Sequence, residues 1–400
     1  MQLQFAKRMS DIKASEIREI LKVTEQEDVI SFAGGLPALE LFPIDEINEV
    51  TQIVLEEAGV KALQYTTTEG YAPLREWIAT RMNKRLGTSL ERDNILITHG
   101  SQQGLDLSGK VFLDENDIVL CESPTYLAAI SAFKAYGCRF IEIPTDENGM
   151  NMGVLEDVLS NSKNIKLIYL IPTFQNPTGK TWSLERRRQL AKLSSKYNVA
   201  VIEDNPYGEL SFEGEALPSV KSFETKTVGN ILCIGSFSKI FCPGFRIGWI
   251  AGDKDIIRKY VLVKQGTDLQ CNTIAQMTIA EYLKRYDIDK HIEKIVEVYK
   301  KRKDVAIECI ERHFPSDIKF TRPKGGLFTW IELPEGILAR EILNKCLERK
   351  IAFVPGGSFF PCENKENTFR INYSNMAEDK IEKGLRIIGE VIKEYISNNK

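Results

Sequence analysis

The sequence predicts an α/β protein, with a large domain built on a mostly parallel, seven-stranded sheet flanked by helices and a smaller α+β domain beside it. Three observations carry that expectation. Seven short apolar, β-branched runs recur between residues 95 and 252. Helix-period segments separate several of them, and beyond about residue 288 the texture changes to long amphipathic stretches with isolated strand-like runs. Strands that alternate with helices bury both faces of a sheet and favour parallel pairing.

Taken in order, the seven runs are ILIT (95–98), DIVLCE (117–122), RFIEI (139–143), IKLIYLI (165–171), VAVIED (199–204), ILCIGS (231–236) and FRIGWIAG (245–252). Short, nearly continuous apolar runs of this kind are those of strands covered on both sides. Before the fifth run, Ser183 is placed to cap a helix that repeats Leu190, Leu193 and Tyr197 at three- and four-residue spacing. Past 288, Ile292, Ile295, Tyr299, Ala306 and Ile310 mark one face of a long helix, GLFTWIEL and IAFVPG read as strands, and the last helix repeats Ile381, Leu385, Ile388, Ile392 and Tyr395. The opening forty or so residues are punctuated by Gly and Pro (AGGLPALELFP) and are too short to fold alone. They are expected to pack on the C-terminal part, which gives a large domain at 45–287 and a small one made of 1–44 and 288–400.

Composition narrows the function. A net charge of −3 over 400 residues leaves no basic excess for nucleic acid or an anionic membrane surface, so small molecules are the expected partners. Eight cysteines are scattered without a C-x-x-C pair, as in a chain of reduced core thiols. Three histidines in separate contexts offer little to a zinc site, and no metal is expected. The opening MQLQFAKRMSDIKAS has no apolar core of a signal peptide, and no apolar run approaches membrane-spanning length, so a cytoplasmic protein is expected.

Ligands of open α/β sheets collect beyond the carboxyl ends of the strands, so the residues after each run matter most. After ILIT, HGSQQG presents N–H groups at a helix start, suited to a phosphate or equally to an ordinary strand-to-helix turn. VAVIED leaves Asp204 at the end of an apolar strand, where a carboxylate needs a cationic or N–H partner or else caps the next turn. The segments after two other runs supply Asn176, in QNPTGK, which equally suits a well-formed turn, and Tyr126, in ESPTY, an aromatic that suits packing as well as a ligand platform. SFSKIFCPGFRIGW (236–249) sets Lys239 and Arg246 on either side of a Pro-Gly break. Together these form an inventory: Ser101, Gln102, Ser236, Ser238 and Arg246 for a phosphate, Tyr126 as an aromatic face, Asp204 as a buried carboxylate, Asn176 and Tyr207 as donors, and Lys239 as an amine nucleophile. The inventory fits pyridoxal 5'-phosphate, whose aldehyde Lys239 would capture and whose ring nitrogen Asp204 would keep protonated.

At these residues the sequence resembles the fold-type I pyridoxal-phosphate enzymes, and within them the class I and II aminotransferases. The resemblance spans nearly the whole chain. It rests on SFAGGLP (31–37), QYTTTEGYAPLR (64–75), HGSQQGLDL (99–107), ESPTY (122–126), QNPTGK (175–180), EDNPYGEL (203–210), SFSKIFCPGFRIGW (236–249), KGGLFTW (324–330) and FRINYS (369–374), in that order. SFAGGLPALELFP and the preceding ASEIREIL are most similar to the 2-aminoadipate/kynurenine aminotransferase group, and also to the catalytic half of pyridoxal-dependent GntR-type regulators.

The resemblance implies that Lys239 links to the cofactor and shuttles the proton, and that Arg370 grips the substrate α-carboxylate with help from Asn176 and the Gly35 backbone. It implies a homodimer with shared active sites, in which Tyr65 reaches the phosphate of the neighbouring protomer's cofactor. Ser15 and Arg18 stand where a side-chain carboxylate is recognised in that group, although Arg18 also suits a solvated helical ion pair. Two departures are visible: Cys242, where a small aliphatic residue is more usual, and Asn205, where many relatives carry Asp. The expected reaction is ping-pong transfer of an amino group from a 2-aminoadipate, aromatic or branched-chain amino acid to 2-oxoglutarate. A lyase using the same cofactor is the first alternative. The ligand-sensing module of a regulator is the second, and about thirty residues before SFAGGLP are too few for a winged helix.

Overall fold

The strand runs meet one another in an order that their chain order does not reveal. The computed structural model describes residues 3–10, 28–214, 216–224, 229–363 and 365–398. After β1 (Ile30–Ser31), strands β2 (Ile95–Thr98), β3 (Ile118–Ser123), β4 (Arg139–Asp146), β5 (Gly149–Met150), β6 (Ile165–Leu170), β7 (Ala200–Asp204), β8 (Ile231–Ser236) and β9 (Gly248–Ala251) follow. From β2 onward these eight form one sheet in the order β2-β9-β8-β7-β6-β3-β4-β5. Neighbours from β8 through β4 are parallel. Strand β9 runs against both β8 and β2, and β5 runs against β4.

All seven predicted runs are strands, so the mixed, mainly parallel sheet flanked by helices is as expected. The eighth strand is two residues long and returns from a turn at Glu147 and Asn148, too short for an apolar run to announce it. The last run is trimmed from eight residues to four, because Pro243–Phe245 forms a 3-10 turn and Arg246 stands at φ 55°, which breaks extension. Strands β2, β7 and β8 are buried along their whole length, which accounts for their unbroken apolar composition. Ser183 caps the helix Leu184–Tyr197 by accepting from the Arg186 N–H at 3.4 Å.

Beyond the sheet, β10 (Lys319–Phe320), β11 (Phe328–Glu332), β12 (Ile351–Ala352), β13 (Val354–Pro355) and β14 (Thr368–Asn372) alternate with the helices Ile288–His313, Ala339–Glu348 and Glu378–Asn398. An antiparallel sheet of order β10-β11-β14-β13 forms there, and β1 pairs in parallel with β12. Ile381, Leu385, Ile388 and Ile392 are fully buried along one stripe of the last helix. The segment after β1 is tied to the C-terminal part by its backbone. Phe32 N–H donates to Ala352 C=O at 2.8 Å, and Asn372 N–H donates to Phe32 C=O at 3.0 Å. Residues 33–36 are thereby carried over the carboxyl edge of the large sheet, where Lys239 and Arg370 reach them.

Candidate active site

Because β3, β6, β7 and β8 are parallel neighbours, the residues that follow them emerge at one edge. Asp204 closes β7 at 1% exposure. Its Oδ2 accepts from the Tyr169 hydroxyl at 2.9 Å, while its Oδ1, equally buried, has no hydrogen-bond partner among the described residues. Burial raises its pKa to about 7, against the lowering effect of the Tyr169 bond. A carboxylate left half satisfied in so apolar a place has room for one more donor.

Lys239 lies in the turn after β8, and its Nζ donates to Gly35 C=O at 2.7 Å. Burial, then the neighbouring Arg370 and Arg246 cations, lower its pKa to about 8. No acid offsets those three effects, so a larger share of the amine than in an ordinary lysine is neutral near physiological pH, the form a nucleophile or base requires.

Arg370, at the centre of β14, is 2% exposed and stacks over the rings of Phe328 and Phe359, 4.3 and 5.2 Å from their centroids. Its Nη1 donates to Asn176 Oδ1 at 2.7 Å and its Nη2 to Ala33 C=O at 2.5 Å. Its Nε has no partner, and no carboxylate pairs with it among the described residues. Burial pulls even this guanidinium down to about 10. A buried cation without an anion is costly, and its planar fork is suited to a carboxylate. Asn176 Nδ2 also reaches the Tyr207 hydroxyl at 3.4 Å, and burial pushes that phenol far above its ordinary range.

The HGSQQG turn is the start of the helix Gly100–Phe112, so Ser101 and Gln102 lie in its first turn. Arg246 crosses to it, with Nη2 3.4 Å from His99 C=O. Two glycines make the approach possible. Gly100 stands at φ 68°, and a Cβ there would meet Arg246 Nη2 at 2.6 Å; at Gly248 a Cβ would meet Ser101 N at 2.9 Å. On the other side of the cradle, Ser236 Oγ donates to Ser238 Oγ at 2.9 Å and accepts from Ser238 N–H at 3.1 Å. Tyr126 precedes the helix Leu127–Lys134 as its N-cap residue, and burial raises its pKa.

The fold therefore brings Ser101, Gln102, Tyr126, Asn176, Asp204, Tyr207, Ser236, Ser238, Lys239, Arg246, Arg370 and Gly35 to one edge. Tyr65 stands apart, 77% exposed just past the helix Ile44–Ala62. Ser15 and Arg18 lie outside the described residues. Three participants were not singled out from sequence: Tyr169, Phe328 and Phe359. Phe328 sits inside the KGGLFTW motif, and Tyr169 inside an apolar strand run that gives no local sign of a polar partner. A His99, Asp268 and Cys271 grouping has ligand atoms close enough for a metal, but Lys264 Nζ already neutralises Asp268, at 2.7 and 2.8 Å from its two oxygens.

These residues fit pyridoxal phosphate. Asp204 Oδ1 offers the acceptor that a protonated ring nitrogen needs, the glycine-opened cradle offers N–H groups and a cation for the phosphate, and Lys239 offers the amine. Comparison with known proteins agrees. The family Aminotransferase class I and II matches residues 27–388. An aromatic-amino-acid aminotransferase of Thermococcus litoralis is 45% identical over 98% of this chain and 94% of its own. The multiple substrate aminotransferase of Thermococcus profundus superposes with a TM-score of 0.93 at 43% identity, over 98% of both chains. The alpha-aminoadipate aminotransferase of Thermus thermophilus, solved with N-(5'-phosphopyridoxyl)-L-leucine, does so with a TM-score of 0.92 at 40% identity, over 98% of both chains.

Proposed function

Because the chain belongs to the aminotransferase class I and II family and is a pyridoxal-phosphate-dependent aminotransferase of amino and oxo acids, we propose that it moves the amino group of an aromatic, 2-aminoadipate-type or branched-chain L-amino acid to 2-oxoglutarate in a ping-pong sequence. The observation that carries this reading is Arg370, a buried guanidinium with no acid partner among the described residues. Every α-amino acid and every 2-oxo acid brings the carboxylate it lacks. The printed names of the relatives, aromatic, multiple-substrate and alpha-aminoadipate, support a donor range of this breadth.

Bound pyridoxal phosphate supplies an aldehyde and an electron-accepting ring. The roles proposed for the chain's own groups are those the family resemblance implies, and their surroundings support them. Ser101, Gln102, Ser236, Ser238 and Arg246 bind the phosphate. Tyr126 covers a ring face, and Asn176 with Tyr207 donates to the ring oxygen. Asp204 Oδ1 holds the proton on the ring nitrogen. Arg370 orients the substrate through its α-carboxylate, assisted by Asn176 and the Gly35 backbone. Lys239 Nζ takes the proton from the substrate α-carbon, and its pKa of about 8 lets it accept and return that proton near neutral pH.

The same reading assigns residues 45–287 to cofactor binding and 1–44 with 288–400 to covering the substrate. It makes the enzyme a cytoplasmic homodimer in which the exposed Tyr65 serves the partner's cofactor phosphate, and it gives Ser15 and Arg18 to a side-chain carboxylate. The test is a panel of amino donors with 2-oxoglutarate, read as glutamate formed. Release of ammonia or carbon dioxide without glutamate would overturn the reading in favour of a lyase.

A further inference from the structure

The Asp204 carboxylate has one hydrogen-bond anchor among the described residues, the Tyr169 hydroxyl. Tyr169 is buried at 1% exposure in β6. Strand pairing sets Tyr169 opposite Ile202, and Ile202 and Asp204 share a sheet face because side chains alternate along β7. The phenol therefore reaches Asp204 diagonally across one strand gap, its hydroxyl 2.9 Å from Oδ2. Its ring is held in turn. Phe133 meets it edge to face, with centroids 5.8 Å apart at 72°, and Phe133 belongs to the helix that begins right after Tyr126. The titratable groups that face Asp204 are phenols: Tyr169, which donates to Oδ2, and Tyr126 and Tyr207, whose pKa values burial raises with help from the carboxylate. Among the described residues nothing hydrogen-bonds Oδ1 and no cation pairs with either oxygen.

We infer that Tyr169 is a positioning residue for the cofactor's ring nitrogen: its hydroxyl pins Asp204 with Oδ1 turned to the site and keeps the shared proton on the ring rather than on the carboxylate. This rests on the assignment of Asp204 to the ring nitrogen. The chemistry is a competition for one proton. A carboxylate that accepts a hydrogen bond at Oδ2 is a weaker base at Oδ1, so the ring keeps its proton and stays electron-poor. Without the bond the carboxylate becomes more basic, the proton moves from the ring nitrogen to Oδ1, and the ring loses its positive charge. The burial-raised pKa of Asp204 agrees with a carboxylate short of donors.

The experiment loads wild-type enzyme and Tyr169→Phe with pyridoxal phosphate labelled at the ring nitrogen and records its nitrogen resonance over a pH series. The wild-type resonance is expected at the protonated position and that of Tyr169→Phe to move toward neutral pyridine. Cofactor dissociation is expected to rise about tenfold, the effect of one charge-assisted hydrogen bond. The same substitution in an Asp204→Asn background should leave cofactor affinity unchanged, since no carboxylate remains to be tuned. An unmoved resonance in Tyr169→Phe, or an equal loss of affinity in the Asp204→Asn background, would reduce Tyr169 to core packing. A neutral ring nitrogen in the wild type would overturn the Asp204 assignment and this inference with it, and leave aminotransfer itself standing.

Discussion

Arg370 Nη1 donates to Asn176 Oδ1 across 2.7 Å, and that bond ties β14 to the loop after β6. The group proposed to grip the substrate and the group proposed to face the ring oxygen are thereby held in one relationship. Arg370→Lys keeps a charge but loses the planar fork. Its kcat/KM is expected to fall about 30- to 100-fold, equivalent to about 2–3 kcal/mol, for amino and oxo acid alike. Cofactor affinity should be unchanged. Steady-state kinetics with both half-reactions checks this, and a loss confined to one substrate would contradict it.

Lys239→Ala should lose the visible absorption of bound cofactor and turnover by about 10³-fold or more, since both the covalent anchor and the base are removed. Borohydride treatment followed by mass spectrometry should fix the cofactor on residue 239 of the wild type and nowhere on the variant. An adduct on another lysine would move the assignment.

Asp204 makes the cofactor-free protein sensitive to pH in a stated direction. Its folded pKa is raised from 3.8 to about 7, so between those values the native state holds a proton that the unfolded chain releases. Stability contributed by this group therefore falls as pH rises through that window, and the cost is complete above about pH 7. Asp204→Asn is expected to stabilise the cofactor-free protein at about pH 8, by up to ~4 kcal/mol, and to change little near pH 4. Thermal melts at the two pH values decide it, and the same variant should lose aminotransferase activity.

Lys239 behaves oppositely. Its folded pKa of about 8 lies below its ordinary 10.5, so the cost of burying the ammonium is full below about pH 8 and is relieved as pH rises from there to 10.5. Capture of added cofactor by the cofactor-free protein should accelerate as pH rises toward 8 and then level off. Stopped-flow absorbance measures it, and a rate independent of pH would contradict the amine's assignment.

Gly100→Ala sets a Cβ 2.6 Å from Arg246 Nη2, at a φ of 68° that a side chain rarely adopts. Arg246 must move away from the helix start, and cofactor affinity is expected to fall about tenfold or more. Dissociation of the cofactor on dilution, followed by fluorescence, tests this.

Much of the fold and most of the site were legible in the residues themselves. Seven apolar runs became seven strands. In β2, β7 and β8, buried along their whole length, burial on both faces imposes the apolar composition, whereas β4 is buried at one residue only. Asp204 and Lys239 stood out as charges at or just past the ends of such runs. Arg370 was different. In FRINYS it looks like any strand arginine, and only resemblance singled it out, because the cost of its burial and the absence of an acid are properties of its neighbours.

Local sequence thus determined which segments extend, which coil, and which polar groups end a buried strand, since those follow from periodicity and from the cost of leaving a charge in an apolar run. Tertiary structure alone decided which ends share an edge and which oxygen of Asp204 is left free. The parallel pairing of β6 with β7 makes Tyr169 a neighbour of Asp204, and the pairing of β1 with β12 together with the Phe32 backbone bonds brings residues 33–36 over Lys239. Those are contacts between residues far apart in sequence, whose geometry is set by backbone pairing and not by any composition the chain displays.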